Sequence, residues 1–127
     1  MRRSAEVLVL DDEEIVCTRV EEYLEKKGFS VETFMDSQEA LNRLAEKNFD
    51  VVVTDLKMNG PTGLDVLRYV QNNSPTTEVI IITAYASIEV AKEAEIVGSF
   101  GVVCKPFQLQ EVHRLVKQAA KKAMKQS

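Results

Sequence analysis

The chain has 127 residues, 45% of them apolar, and a formal net charge of -4. That length suits one domain over residues 1–127, able to bury roughly two thirds of its unfolded surface without disulfide or metal staples. The negative balance argues against direct nucleic-acid binding, which rests on clustered Lys and Arg, and no apolar run reaches the length of a membrane span or of a signal core behind MRRSAEV, so neither membrane nor export is expected.

Short apolar runs alternate with amphipathic stretches along the chain. Residues 6–10 predict a strand, and Val16, Val20, Tyr23 and Leu24 mark one face of a helix ending at Gly28. Residues 30–34 predict a second strand. Asp36, with Glu39 three residues on, makes a capping-box-like start to a helix whose buried stripe is Ala40, Leu41 and Leu44. Residues 51–54 predict a third strand, after which the turn-rich KMNGPTG leads into a helix carrying Leu64, Leu67 and Val70 and stopping near Asn72, Asn73 and Pro75. Residues 79–82 predict a fourth strand, 88–96 a helix closed by Gly98, and 100–104 a fifth strand. Leu109, Val112, Val116 and Ala119 form the core face of a last helix, whose basic tail KQAAKKAMKQS places cations at the negative end of its dipole. Neither Cys17 nor Cys104 has metal-site or disulfide spacing; Cys104, in an apolar run, is expected to pack as a small hydrophobe, a usage that suits the cytoplasm.

The nearly unbroken apolar character of VLVL, VVV and VIII suits strands buried on both faces. The predicted fold is a three-layer, doubly wound α/β domain: a five-stranded parallel sheet in the order 2-1-3-4-5 with five helices, flavodoxin-like. Ligands of such sheets sit beyond the carboxyl ends of the strands where the winding reverses. Asp11 and Asp12 follow the first strand, Asp55 the third and Lys105 the fifth, and Thr83 closes the fourth. The acids of VLVLDDEE could simply open the next helix. Set beside Asp55, however, Asp11 and Asp12 would disfavour one another's ionisation, so at least one should have a raised pKa without metal. A hard divalent cation, Mg²⁺ or Mn²⁺, resolves that conflict. Asp55 could then attack phosphorus, with Lys105 and the metal neutralising the transferring oxygens and Thr83 donating a hydroxyl. Taken singly, a lysine before proline is a loop residue and a threonine closing a strand is β propensity; their joint placement carries the case.

VLVLDDEE, VVVTDLKMNGPTGL, VIIITAYAS and GVVCKPF, in this order and spacing, resemble the receiver domain of bacterial two-component response regulators over residues 7–123. The resemblance implies a signalling phosphoacceptor rather than an enzyme acting on other molecules. By it, Asp55 accepts a phosphoryl group from a sensor histidine kinase or phosphotransfer protein and later loses it by slow hydrolysis. Mg²⁺ is ligated by Asp12, Asp55 and the main-chain carbonyl of Lys57, with Asp11 acting through water; Thr83 is the switch hydroxyl, Lys105 the phosphate-sensing cation, and the Lys105–Pro106 bond is cis. Output passes through the fourth helix, fifth strand and fifth helix to an output domain or downstream protein, as a monomer or a phosphorylation-dependent dimer. The stretch after Lys105 is largely one helix, so no output domain is expected in this chain, which reads as a stand-alone receiver or a piece of a longer regulator. TAYAS is similar to receivers placed before ATPase transcription activators.

Two positions depart from the family pattern. Asn59 stands where proline is frequent, with Pro61 two later, while Gly60 and Gly63 keep the register. Val102 stands where receivers usually carry the Tyr or Phe that rotates with the threonine; Phe100 is expected on the same sheet face. Lys57 and Tyr85 occupy the places that influence water access, and Tyr85 is the candidate lever of the switch. His113, away from the strand ends, reads as a surface or interface residue. A haloacid-dehalogenase-type phosphatase needs a second acid where Lys57 stands, and a flavodoxin-like carrier needs a phosphate cradle where this chain has acids. A degenerate receiver would have lost one of the five site residues.

Overall fold

The computed structural model describes residues 3–84 and 88–126. Strands β1 (Glu6–Leu10), β2 (Ser30–Phe34), β3 (Val51–Asp55), β4 (Glu78–Thr83) and β5 (Gly101–Cys104) alternate with helices α1 (Glu14–Lys26), α2 (Ser37–Glu46), α3 (Gly63–Asn73), α4 (Ile88–Val97) and α5 (Leu109–Gln126). The strands form one parallel sheet in the order β2-β1-β3-β4-β5, as expected. Strand alternation divides the core. Val7, Val9, Val53, Ile80 and Ile82 meet Val20 and Leu24 of α1 and Val112 and Val116 of α5. Leu8, Leu10, Val52 and Ile81 meet Ala40 and Leu44 of α2, Leu67 and Val70 of α3 and Ala94 of α4. Burying each such Val, Leu or Ile is worth about 1.5–3 kcal/mol, so the sheet can carry destabilising polar groups at one end.

The opposite, amino end of the sheet is clipped by Arg3, which donates to both Asp50 carboxylate oxygens at 2.7 and 2.9 Å, while Asp50 Oδ2 also accepts from the Glu6 N–H. At the carboxyl end each helix starts differently. Asp36 caps α2 by accepting from the Gln38 and Glu39 N–H groups. Thr62 and Asp65 make a reciprocal capping box on α3. Glu13, at the N-cap of α1, makes no side-chain cap bond. Gly63 crosses directly over the end of β3: its N–H donates to the Leu56 carbonyl at 2.8 Å, and a Cβ there would collide with the Asp55 carbonyl.

Three expectations are corrected. Phe100 lies outside β5 and packs on the α1/α5 side, with Lys122 Nζ 5.9 Å from its ring centroid, whereas Val102 packs on the α2/α3/α4 side. Strand alternation therefore does not extend from Val102 to Phe100, although the Phe100 N–H still donates to the Val79 carbonyl of β4 at 2.6 Å. Cys104 is exposed, since β5 is an edge strand; the buried thiol is Cys17, one turn before Val20 in the core stripe of α1. Strand β3 runs further than expected, to Asp55, and β4 starts earlier, at Glu78, because these polar ends still pair in the ladder, while Thr83 closes β4 as expected. His113 is half-buried between α1 and α5, its ring edge-on to Tyr23 at 5.9 Å and Phe29 at 6.0 Å.

The contact at Gly63 yields a stability prediction. Gly63→Ala should destabilise the fold by about 1–3 kcal/mol through overpacking against β3, and Thr62→Ala by about 1 kcal/mol through loss of the cap. Urea unfolding with an unchanged m-value checks both; a midpoint for Gly63→Ala equal to wild type would show that α3 can draw back from β3 without cost.

Candidate functional site

The site is built where β1, β3, β4 and β5 end. Asp11 follows β1 with no solvent contact, its N–H donating to the Phe34 carbonyl and its Oδ1 accepting from the Glu13 N–H at 2.8 Å. Asp55, the last residue of β3, is buried, and its Oδ1 lies 3.4 Å from the Lys57 N–H that donates to it. Lys105 is tied to β4 by donating its main-chain N–H to the Thr83 carbonyl at 2.9 Å. Its Nζ lies 2.8 Å from Asp11 Oδ2, 3.0 Å from Asp55 Oδ2 and 3.3 Å from Glu13 Oε1. Asp12 is exposed at the rim, and Asp11, Asp12 and Asp55 each offer a carboxylate oxygen within 4.8 Å of the others'.

A cavity of about 410 Å³ opens above this cluster, lined by Asp12, Asp55, Lys57, Met58, Asn59 and Lys105 together with Glu13 and Ala84. The structure thus brings together Asp11, Asp12, Asp55, Lys57, Asn59 and Lys105. Thr83 is fully buried one residue before Ala84. The Asn59 loop is fastened without a proline at that position: the Ser37 hydroxyl donates to the Asn59 carbonyl at 3.1 Å, and Gly60 takes a φ of +80°, where a side chain is strained. Ser37 was silent in the sequence because its neighbour Asp36 accounts for the helix start. Pro106 is exposed and its peptide bond is cis. Val102 is half-buried, and Tyr85 lies outside the described residues.

Burial pushes the Asp11 carboxyl above its ordinary range, although Lys105 and the Glu13 N–H pull the other way; the Asp55 charge adds a smaller push. The raised acid is therefore present as the sequence suggests, but desolvation leads and crowding is secondary. Burial opposes the charge on Lys105 too, yet its bonds to Asp11 and Asp55 outweigh that and hold it above the usual lysine range. The Cys17 thiol is pushed up to about 11 by burial and by Asp11, and donates to the Asp11 carbonyl at 3.3 Å. Asp11 Oδ2 is nevertheless the buried side-chain atom without an aligned hydrogen bond among the described residues. A buried carboxylate oxygen that faces an ammonium without an aligned hydrogen bond, beside two further carboxylates in a net-negative cluster, is the chemistry that a hard cation such as Mg²⁺ or Mn²⁺ fits.

The family model for the response regulator receiver domain matches residues 7–117. The chain belongs to this family. The receiver is 34% identical over 113 residues to the DNA-binding transcriptional regulator NtrC of Escherichia coli (strain K12), covering 89% of this chain but 24% of that protein. It thus spans about a quarter of the length of the curated relatives it matches. Among solved structures, a response regulator receiver domain protein from Clostridium thermocellum superposes with a TM-score of 0.89 at 31% identity, covering 97% of this chain and 99% of that one. The beryllofluoride-activated NtrC4 receiver domain dimer does so with a TM-score of 0.88 at 30% identity, covering 93% and 98%. No helix among the described residues is long and apolar enough to cross a membrane.

Because burial raises Asp11 in the folded receiver, the folded state holds that proton more tightly than the unfolded chain. Its contribution to stability is full below the ordinary carboxylate pKa and declines as pH rises through the folded value. Asp11→Asn keeps an acceptor for the Glu13 N–H without the buried charge. In metal-free buffer it should melt higher than wild type at neutral pH, with the gap closing toward acid pH; a lower melting point at neutral pH would mean that the pairing with Lys105 outweighs the cost of burying the charge.

Proposed function

We propose that this receiver is a phosphorylation-controlled signalling switch whose phosphoacceptor is Asp55. The observation that carries the reading is the Asp55 carboxylate at the end of β3, paired with Lys105 Nζ at 3.0 Å and opening onto a pocket rimmed by Asp12. The donor is a phosphohistidine on a sensor histidine kinase or phosphotransfer protein. An Asp55 oxygen attacks phosphorus, the new P–O bond forms as the P–N bond breaks, and the imidazole nitrogen leaves with the electron pair. Hydrolysis reverses the modification: water attacks phosphorus and the aspartyl oxygen leaves as carboxylate.

Asp12, Asp55 and the main-chain carbonyl of Lys57 would hold Mg²⁺ or Mn²⁺, with Asp11 acting through water. Bound there, the ion supplies positive charge to the phosphoryl oxygens. Lys105 exchanges its Asp55 partner for a phosphoryl oxygen, and the Thr83 hydroxyl, at the end of β4, donates to another. Output runs through α4, β5 and α5. Val102 cannot swing as a ring does, and Phe100 packs on the other sheet face, so coupling falls to the segment after Thr83, where Tyr85 stands. The length of NtrC supports a receiver working within a longer cytoplasmic regulator, and the NtrC4 dimer supports dimer formation on phosphorylation.

Incubation with acetyl phosphate and Mg²⁺, followed by intact-mass spectrometry, should add one phosphoryl group to wild type and none to Asp55→Asn or to wild type in chelator. Labelling of Asp55→Asn would move the acceptor elsewhere. By titration calorimetry, Asp12→Ala should lose more Mg²⁺ affinity than the ~10–100-fold typical of outer-shell partners; an unaltered affinity would remove Asp12 from the ligand set.

A further inference from the structure

Glu13 and Glu14 are the acids of VLVLDDEE that neither the core nor the proposed metal set uses, and Glu13 is the one paired with Lys105. Glu14 begins the first turn of α1 and is exposed, and Asp11 and Asp12 belong to the carboxylate cluster. Glu13 sits at the N-cap, where a shorter Ser, Thr, Asp or Asn would accept from the helix N–H groups, and its own carboxylate makes no such bond. It reaches sideways instead, and Oε1 accepts from Lys105 Nζ at 3.3 Å. The same residue's N–H fixes Asp11 Oδ1. Glu13 also stands on the wall between the Asp55 pocket and a second groove of about 680 Å³ beside α1.

The donor geometry at Lys105 gives this contact a consequence. Nζ makes aligned hydrogen bonds to Asp55 Oδ2 and Glu13 Oε1, while Asp11 Oδ2, though only 2.8 Å away, receives none. Glu13 is thus the exposed third acid on an ammonium whose other two carboxylate partners, Asp11 and Asp55, are buried. A charge that must turn toward an incoming phosphoryl group is held back by an outward-facing partner, and that partner adds negative charge where an anionic donor enters.

We propose that Glu13 is a positioning residue that tethers Lys105 at the pocket rim in the unphosphorylated receiver and so slows phosphoryl transfer to Asp55; the inference rests on Asp55 being the phosphoacceptor. Glu13 acts through Lys105 and does not itself touch the phosphoryl group. With its side chain 58% exposed, the tether belongs with the weak, salt-screened ion pairs.

The test compares Glu13→Gln with Glu14→Gln, which removes the same charge one residue along. With saturating Mg²⁺ and acetyl phosphate at low ionic strength, Glu13→Gln should be phosphorylated about two- to fivefold faster than wild type, the range an exposed ion pair supports. The gain should shrink as salt is added, and Glu14→Gln should match wild type. In metal-free protein with ¹⁵N-labelled lysine, the Lys105 ammonium resonance should weaken in Glu13→Gln and persist in Glu14→Gln. Equal or slower phosphorylation of Glu13→Gln on Asp55, or an equal gain in Glu14→Gln, overturns the tether. If wild type takes no phosphoryl group, or Asp55→Asn still takes one, the phosphoacceptor reading fails instead. The metal-free lysine signal then decides by itself whether Glu13 holds Lys105.

Discussion

The carboxyl end of the sheet depends on one ammonium group. Lys105 Nζ stands within 3.3 Å of oxygens from Asp11, Asp55 and Glu13, which arrive from the ends of β1 and β3 and the start of α1. Asp11 is wholly buried, and a buried carboxylate without a partner would cost several kcal/mol or take up a proton. The lysine makes the cluster tolerable in the folded chain. Because it leaves one Asp11 oxygen without an aligned bond and the cluster net negative, it also keeps the site receptive to positive charge.

The rest of the fold serves to hold that ammonium and those acids in register. Parallel pairing sets Leu10 beside Thr54 and Thr83 beside Cys104, so the residues that follow emerge together at one edge. The Lys105 N–H bond to the Thr83 carbonyl brings β5 to the site. Gly63 lets α3 start against the end of β3, and Ser37 anchors the Asn59 loop from α2. Rigid strands and fastened loops are what a site needs if charge is to be placed before chemistry begins.

Of the output elements, α5 is well buried through Val112, Val116 and Ala119, whereas β5 lies at the sheet edge. Beyond β4 the sheet has only the edge strand β5, with Val102 half-buried and Cys104 exposed. Among the described side chains of α4, Ala94 is buried in the core and Val97 packs against it part-buried, while Ile96 is 85% exposed. Elements with few buried apolar groups open at low cost, and they are the ones a switch can move. A valine at position 102 packs but does not swing, so in the proposed switch the coupling rests on the segment after Thr83 rather than on a rotating ring.

Strand order, the two-sided core and the meeting of Asp11, Asp12, Asp55 and Lys105 were legible in the sequence. Doubly buried strands appear there as unbroken apolar runs, and a residue just past a parallel strand has one place to go. The family was legible for the same reason, since its motifs are those strand ends. Only the tertiary structure decided which face Phe100 takes, which cysteine is buried, that desolvation rather than crowding raises Asp11, and that Glu13 leaves its cap for Lys105. Each of these turns on where the sheet stops and which neighbour stands across a gap, and periodicity along one chain carries no record of distance between chain segments.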